Sequence, residues 1–272
     1  MTDEAAAIWV PDGVDLHQPS VARIYDYILG GGHNFEVDRE IARRLVAVQP
    51  NVQDIAQRNR AFLQRVVRFL VAEAGIRQFL DLGSGIPTVG NVHEVAQQAA
   101  PGTRVVYVDY EEVAVAHSRM LLAGNPDADI VFADVTHTDE VLNAPATRAL
   151  LDFTQPIGIL AVTIGHYLPP ASDPAGVFGR YRDAVVPGSY LALTHLTDDF
   201  ESVHGDEIIE TMRSTRDNVF PRTRDEVLAL FNGFSLVEPG LSTTSQWRPE
   251  PGVTTAVDPE ADGLYAAVGR RV

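Results

Sequence analysis

The sequence predicts an α/β fold with a doubly wound, largely parallel sheet and an antiparallel strand pair at its C-terminal edge. Two observations lead to this prediction. From Arg77 onward, short apolar runs alternate with helical segments, and such crossovers produce a parallel sheet. The last two apolar runs have no helix between them, so they can pair antiparallel. The length of 272 residues suits one large domain of this kind.

Three helical segments precede the sheet. They are predicted over about 19–29, 36–49 and 52–74. Gly30–Gly32, Pro50 and Gly75 end them, because glycine and proline interrupt helices. The third segment places its apolar side chains on one face at helical spacing. Four arginines cover much of the rest, and we interpret them as a solvent-exposed face: Arg58, Arg60, Arg65 and Arg68.

The elements of the sheet follow in order. Strands are predicted at 78–82, 104–109, 130–132, 157–163 and 189–195, with helices near 91–100, 111–123, 138–151 and 173–186. Asn91 and Glu94 form a capping-box pattern, and Pro174 suits a first helical turn. Two more helices are predicted near 205–216 and 223–232, before strands at 234–238 and 263–271.

The composition excludes several chemistries. The chain has no cysteine, and all 21 of its basic residues are arginine. It therefore lacks a thiol nucleophile, a disulfide, a Cys-ligated zinc and a lysine for a Schiff base or a P-loop. The net charge of -16 argues against a nucleic-acid or anionic-membrane partner. No apolar run approaches the roughly 20 residues of a membrane span, and the start lacks a signal-peptide pattern, so we expect a cytoplasmic protein.

Three acids stand at the ends of three successive strands. Asp81 is followed by Gly83-Ser84-Gly85, a pattern that lets a ligand lie close to the backbone at the carboxyl edge of a sheet. Asp109 ends the second strand, and its two acceptor oxygens match a ribose diol. Asp134 follows the third strand and could accept a hydrogen bond from an adenine amine. The sequence therefore predicts a nucleotide-type site, although each acid could instead cap a turn.

The turn after the first strand helps to choose the ligand. A dinucleotide fingerprint needs a third glycine where this chain has Thr88, and it needs a helix that starts close to the turn. Here Pro87 delays the helix to about Asn91, so its amides are poorly placed for a pyrophosphate. S-adenosylmethionine has no phosphate and carries two cationic groups, so it suits this turn and the acidic surroundings better. An NAD(P)-dependent oxidoreductase stays as the alternative.

Several stretches resemble one known family. The front motif comprises Pro19–Gly31 with Asn34-Phe35 and Asp38-Arg39, and the other matching stretches are Phe79–Thr88, Asn91–Gln97, Val105–Asp109 and Gly188–His195. Together they resemble a class I S-adenosylmethionine-dependent methyltransferase, of an actinobacterial family long catalogued as a domain of unknown function. The resemblance covers about residues 17–272.

This resemblance implies a Rossmann-like, seven-stranded methyltransferase core over residues 76–272 and an N-terminal helical cap over residues 1–75. It implies that Asp81 and the Gly83-Ser84-Gly85 turn hold the methionine end of S-adenosylmethionine. It further implies that Asp109, with Tyr110 beside it, holds the ribose, and that Asp134 and Val135 hold the adenine. Many class I enzymes have a third glycine where this chain has Pro87, so the loop path near the methionine carboxylate departs from their pattern.

The acceptor side offers two histidines. His166 and His195 stand at the ends of the fourth and fifth strands, and a histidine can act as a base at neutral pH when the acceptor is a hydroxyl or amine. In the front motif, Arg23 is a candidate partner for a carboxylate of cofactor or substrate, and Asn34 could lie over the cofactor. Each of these residues could equally be structural.

We predict methylation of a small molecule, at oxygen or nitrogen rather than carbon, by a monomer or homodimer. A protein that binds S-adenosylmethionine without turnover stays as a second alternative. We predict no metal site, because the nearest candidate set, His195, Asp198 and Asp199, reads more simply as a solvated loop.

Overall fold

The computed structural model describes residues 14–88, 90–200, 203–250 and 258–272, so the first 13 residues of the predicted cap lie outside the described residues. Within these ranges one sheet contains eight strands: β1 (Gln78–Leu82), β2 (Arg104–Asp109), β3 (Ala128–Phe132), β4 (Gly158–Ala161), β5 (Tyr190–Leu196), β6 (Phe234–Leu236), β7 (Ser242–Thr243) and β8 (Leu264–Arg271). The strand order is β3-β2-β1-β4-β5-β8-β6, and the short β7 pairs with β8. The strands β1 to β5 are parallel, whereas β8 runs antiparallel to its neighbours. The predicted fold class is confirmed.

Ten α-helices surround the sheet in the described part of the chain. They are α1 (Val21–Ile28), α2 (Glu36–Val48), α3 (Val52–Ala72), α4 (Val92–Ala99), α5 (Glu112–Leu122), α6 (Thr138–Asn143), α7 (Pro145–Leu150), α8 (Pro174–Ala184), α9 (Gly205–Met212) and α10 (Arg224–Ala229). None of these helices is both long and apolar enough to cross a membrane. The single helix predicted over 138–151 is two helices, because Pro145 forces extended backbone on Ala144, whose ψ is 142°.

Apolar residues of the sheet are buried on both faces. All five residues of β1 are buried, with Leu80 and Leu82 in one apolar cluster and Phe79 in another on the opposite face. Parallel sheets are covered on both faces by their crossover helices. Because β1 to β4 are parallel, their carboxyl ends lie along one edge of the sheet. The loops after these strands lie together there, where a ligand can bind between them.

The helical cap is built from two segments of the chain. Ile24 of α1 and Leu45 of α2 share an apolar cluster with Ile208 and Met212 of α9, which follows β5. In contrast, α3 buries its apolar face against the sheet. Ala56, near the start of α3, lies in the cap cluster, so this helix contacts both the cap and the sheet.

The arginines of α3 fasten the C-terminal segment to the core. Arg58 donates to the carbonyl of Ala261, Arg65 donates to the carbonyls of Thr244 and Trp247, and Arg68 pairs with Glu250. The interpretation of this face as merely solvated is therefore wrong. The partners lie at least 179 residues away along the chain, so no local pattern revealed them.

Candidate active site

A cavity of about 490 Å³ lies at the carboxyl edge of β1 to β4. Loops after these strands form its floor, and α1 and the segment containing Arg216 and Asp217 form its cover. Small-molecule sites are commonly clefts of roughly 300–1,000 Å³ at this edge of an α/β sheet. Eight of the predicted cofactor residues line the cavity: Arg23, Gly83, Ser84, Gly85, Asp109, Tyr110, Asp134 and Val135.

Two glycines shape the turn after β1. Gly83 has φ +69° and Gly85 has φ +66°, a left-handed conformation that other residues rarely adopt. A Cβ on Gly83 would also lie 2.6 Å from Cδ1 of Ile164. Ser84 lies between them, and its buried Oγ has no hydrogen-bond partner among the described residues. The turn therefore lines the cavity, and it contains one buried hydroxyl without a partner among the described residues.

Asp109 joins this turn to the loop after β2. Its Oδ2 accepts a hydrogen bond from the amide of Gly85 at 2.7 Å, and its Oδ1 accepts one from the amide of Glu111 at 2.9 Å. Burial raises the pKa of the Asp109 carboxyl, although these amides oppose the shift. Each carboxylate oxygen can accept more than one hydrogen bond. Asp109 is thus held rigidly and can still bind two neighbouring hydroxyls.

Asp134 and Val135 lie at the end of the cavity formed by the loop after β3. Oδ1 of Asp134 accepts hydrogen bonds from the amide and the hydroxyl of Thr136, both at 2.8 Å. The carbonyl of Val135 accepts a hydrogen bond from the hydroxyl of Tyr181 at 2.7 Å. Asp134 therefore caps its own loop and also faces the cavity.

Asp81 lies near the end of β1, the strand that leads into the glycine turn. It is buried and is not among the residues that line the cavity. Burial raises the pKa of its carboxyl to about 7, the nearby Asp109 adds to this rise, and Arg60 of α3 opposes it. Asp81 is therefore held in a site that disfavours its ionised form.

Asp81→Asn is expected to stabilise the ligand-free protein, increasingly as the pH rises. A carboxyl whose folded-state pKa is raised adds stability below its unfolded pKa, near 3.8, and loses that stability as the pH rises to about 7. The unfolding free energy of the variant minus that of the wild type should grow by about 2–3 kcal/mol between pH 5 and pH 8. Urea titrations at both pH values measure it. Asp129→Asn, at an exposed position, serves as the control. If the difference in unfolding free energy between Asp81→Asn and the wild type were equal at both pH values, the expected ionisation of Asp81 would be contradicted.

Arg23 lines the cavity, but its guanidinium is already occupied. It donates to Oδ2 of Asp38 at 2.8 Å, to Oε1 of Glu111 at 2.8 Å and to the carbonyl of Gln18 at 2.6 Å. Both carboxylates and the guanidinium are buried. The chain itself supplies anionic partners of this guanidinium, and a contact of Arg23 with a ligand carboxylate stays a prediction.

Asn34 does not line the cavity. Its amide donates to Oδ2 of Asp26 at 2.7 Å, and its Oδ1 accepts from Nε of Arg39 at 2.7 Å. Asp26 also accepts from the amide of His33 at 2.8 Å. This network holds the glycine-containing loop between α1 and α2, and a contact of Asn34 with a cofactor stays a prediction.

The two candidate catalytic histidines lie away from this cavity. Nε2 of His195 accepts from Arg222 at 2.8 Å, and its Nδ1 donates to the carbonyl of Leu196 at 2.7 Å, so both ring nitrogens are occupied. Arg222 also donates to the carbonyls of Gly165 and Leu168. His195 therefore supports the loop after β4, and its catalytic role stays a prediction that these hydrogen bonds do not favour.

His166 lies on the opposite side of that loop. Its Nδ1 accepts from the amide of Leu196 at 3.2 Å, so the neutral ring carries its proton on Nε2. Burial, with His195 and Arg222 nearby, holds the pKa of His166 well below its usual value. A ring in this state has no free lone pair, so the geometry does not support His166 as a base.

Some site residues escaped sequence reasoning. Thr163, after β4, lines the cavity with φ +62°, a conformation that is rare for a residue other than glycine and that often marks a functional site. The hydroxyl of Tyr110 bonds to Asp217, and the guanidinium of Arg216 lies 4.2 Å from the centroid of the Tyr110 ring. Arg216 and Asp217 follow α9, in a segment without a strand-end pattern.

The acidic lining of the cavity favours cationic ligands over anionic ones. Seven carboxyl groups and two guanidinium groups line it, and one guanidinium is that of Arg23, already paired. Such a lining suits a ligand with sulfonium and ammonium groups and repels a pyrophosphate. With the rigid carboxylate of Asp109 and the unpaired hydroxyl of Ser84, the residues fit S-adenosylmethionine.

No group of His, Asp and Glu side chains in the described ranges could hold a metal ion. Asp199 accepts hydrogen bonds from the amide of Arg224 and the hydroxyl of Tyr265.

Comparison with known proteins adds to this geometry. The profile of a family described as S-adenosyl methyltransferase matches residues 7–272. A Thermobifida fusca protein described as a candidate methyltransferase is 42% identical, with a TM-score of 0.91, over 97% of this chain and 99% of that chain. A DUF574 family protein from Streptomyces avermitilis is 35% identical, with a TM-score of 0.90, over 95% of this chain and 99% of that chain.

More distant structures share the fold alone. Magnesium protoporphyrin IX methyltransferase from Synechocystis, solved with bound S-adenosylhomocysteine, is 16% identical with a TM-score of 0.51. The match covers 92% of this chain and 93% of that chain. The comparison with proteins of curated function finds no match.

Proposed function

The chain belongs to the S-adenosyl methyltransferase family, and we propose that it methylates a small-molecule acceptor at oxygen or nitrogen. The observation that carries this proposal is the acidic cavity at the ends of β1 to β4, whose lining includes Asp109 held by two backbone amides. The net charge of -16 supports a small acceptor over a nucleic acid. We propose a monomer or a homodimer.

In this proposal, different residues of the cavity bind different parts of the cofactor. We assign the ribose diol to Asp109, the adenine to Asp134 and Val135, and the methionine end to the turn from Gly83 to Gly85. Asp81 is buried next to this turn, where a nearby ammonium group would favour its ionised form.

When bound, S-adenosylmethionine supplies an electrophilic methyl group, so the chain needs neither a thiol nor a lysine. The work left to the protein is to align the acceptor and to exclude water. The loop held by Arg222 and His195 places Thr163 and Tyr167 at the wall of the cavity, where an acceptor would approach. A base is not part of the proposal, since His166 and His195 are both occupied.

Ligand binding tests the proposed function. S-adenosylhomocysteine is expected to raise the thermal midpoint and to bind in calorimetry, whereas NAD should do neither, because the carboxyl groups that line the cavity outnumber its guanidinium groups. Stabilisation by NAD alone would overturn the proposal in favour of an oxidoreductase. Binding of S-adenosylhomocysteine without turnover of any hydroxyl or amine in a broad acceptor panel would favour the non-catalytic alternative.

A further inference from the structure

A second cavity lies directly behind one wall of the first. It has a volume of about 110 Å³ and lies between the cap and the loop after β4. Four residues line both cavities, so the wall is one layer of side chains thick: Val21, Tyr25, Thr163 and Tyr167. The rest of its lining is mainly apolar and includes Leu45 and Met212 of the cap cluster.

One polar group in this lining lacks a partner. Asn59 of α3 is 1% exposed, and its amide nitrogen donates to the hydroxyls of Tyr25, at 3.2 Å, and Thr163. Its Oδ1 is buried and accepts no hydrogen bond from the described residues. A buried unpaired acceptor costs about 1–3 kcal/mol, which a ligand that donates one hydrogen bond would recover. Asn59 lies beside Thr163, one of the wall residues.

The second cavity also carries no charge. Its titratable residues are Tyr25, His166 and Tyr167. Burial raises the pKa of Tyr25 and of Tyr167 and lowers that of His166, so all three are neutral near pH 7. The carboxyl groups line the first cavity instead. A charged ligand would lose its hydration here without gaining a counter-ion.

We infer that the second cavity is a subsite for the methyl acceptor, which is a neutral and mainly apolar molecule with one hydroxyl or amine. Its apolar part, a small ring or a branched alkyl group, occupies the cavity, and its donor hydrogen-bonds to Oδ1 of Asn59 beside the shared wall. An apolar cavity of about 150 Å³ in another protein binds benzene, so a single ring is the upper limit. This inference rests on the proposed function.

Phenol, toluene and benzoate test the chemistry of the subsite. We expect phenol and toluene to bind in calorimetry and benzoate not to bind, with and without S-adenosylhomocysteine. Phenol should bind about 2- to 10-fold more tightly than toluene, because one hydrogen bond contributes about 0.5–1.5 kcal/mol. In Asn59→Leu this preference should disappear while toluene still binds. Equal affinity for phenol and toluene in the wild type, or binding of benzoate, would overturn the inference.

Filling the cavity tests its location. Ala56 of α3 lines it and is 3% exposed, whereas Ala61 of the same helix is exposed. Ala56→Phe should lower phenol affinity at least 10-fold and leave S-adenosylhomocysteine affinity unchanged, and Ala61→Phe should change neither. If Ala56→Phe fails to fold, Ala56→Leu serves with a smaller expected loss.

The two proposals can fail separately. Unchanged phenol affinity in both Ala56 variants would overturn the subsite and leave the methyltransferase proposal intact. Loss of S-adenosylhomocysteine binding by the wild type would overturn the proposed function, whatever phenol does.

Discussion

Arg23→Met is expected to destabilise the protein by about 3–5 kcal/mol, because it removes the charge partner of two buried carboxylates. Asp38 is 0% exposed and Glu111 is 5% exposed, so water cannot replace the lost guanidinium. Breaking one member of a buried ionic network leaves the other charges unpaired in a medium of low dielectric constant. The carbonyl of Gln18 would lose its donor as well.

Urea titration measures this loss. Arg44→Met is the matched control, because Arg44 pairs with Glu40 at the surface and both side chains are more than half exposed. The control should change the unfolding free energy by less than about 0.5 kcal/mol. Similar midpoints for the Arg23 and Arg44 variants would mean that the buried network contributes no more than a surface pair. Since Glu111 follows the loop of Asp109, the Arg23 variant should also bind S-adenosylhomocysteine more weakly.

The frame of the site was predictable because it depends on local patterns. The bounds of β1 and β2 match the predicted strands to the residue, since short apolar runs with flanking turn residues mark buried strands. An acid that ends such a run must lie at the carboxyl edge of the sheet, and Asp109 and Asp134 do. The capping box of Asn91 and Glu94 is confirmed for the same reason.

The partners of polar side chains were not predictable from local patterns. Arg23 and Glu111 are 88 residues apart, and His195 and Arg222 are 27 residues apart. Sequence reasoning identified their residue types as chemically capable, but whether a ligand or the chain satisfies them depends on tertiary contacts. Asp81 illustrates the same limit, because it is buried and does not line the cavity although its position in the strand was correct.

The site also contains positions that carry no signal in a single sequence. Thr163 has a left-handed backbone that a glycine would adopt without strain, so its residue type conceals its conformation. The unpaired Oδ1 of Asn59 depends on the packing of α3 against the loop after β4. Such features arise from the assembly of several elements, so a single sequence contains no local pattern for them.

Asp109→Ala is expected to weaken S-adenosylhomocysteine binding about 100-fold or more. The carboxylate would lose two charge-assisted hydrogen bonds to the ribose diol, each contributing about 1.5–3 kcal/mol. The same change leaves the amides of Gly85 and Glu111 without their acceptor, so the unfolding free energy should also fall, by about 1–3 kcal/mol. Calorimetry at a temperature where the variant is folded separates the two effects.

Two further variants show whether the lost affinity comes from the contact between Asp109 and the ribose diol. Asp129→Ala, at an exposed position of β3, should leave both affinity and stability close to wild type. Asp109→Asn keeps one acceptor oxygen, so its affinity should lie between those of the wild type and Asp109→Ala. Affinity for S-adenosylhomocysteine that is unchanged in Asp109→Ala would place the ribose elsewhere. If the loss of binding free energy did not exceed the loss of unfolding free energy, Asp109 would act by holding the turn and not by contacting the ligand. The expected loss exceeds that limit, because Asp109 also lines the cavity, where its carboxylate would contact the ribose diol directly.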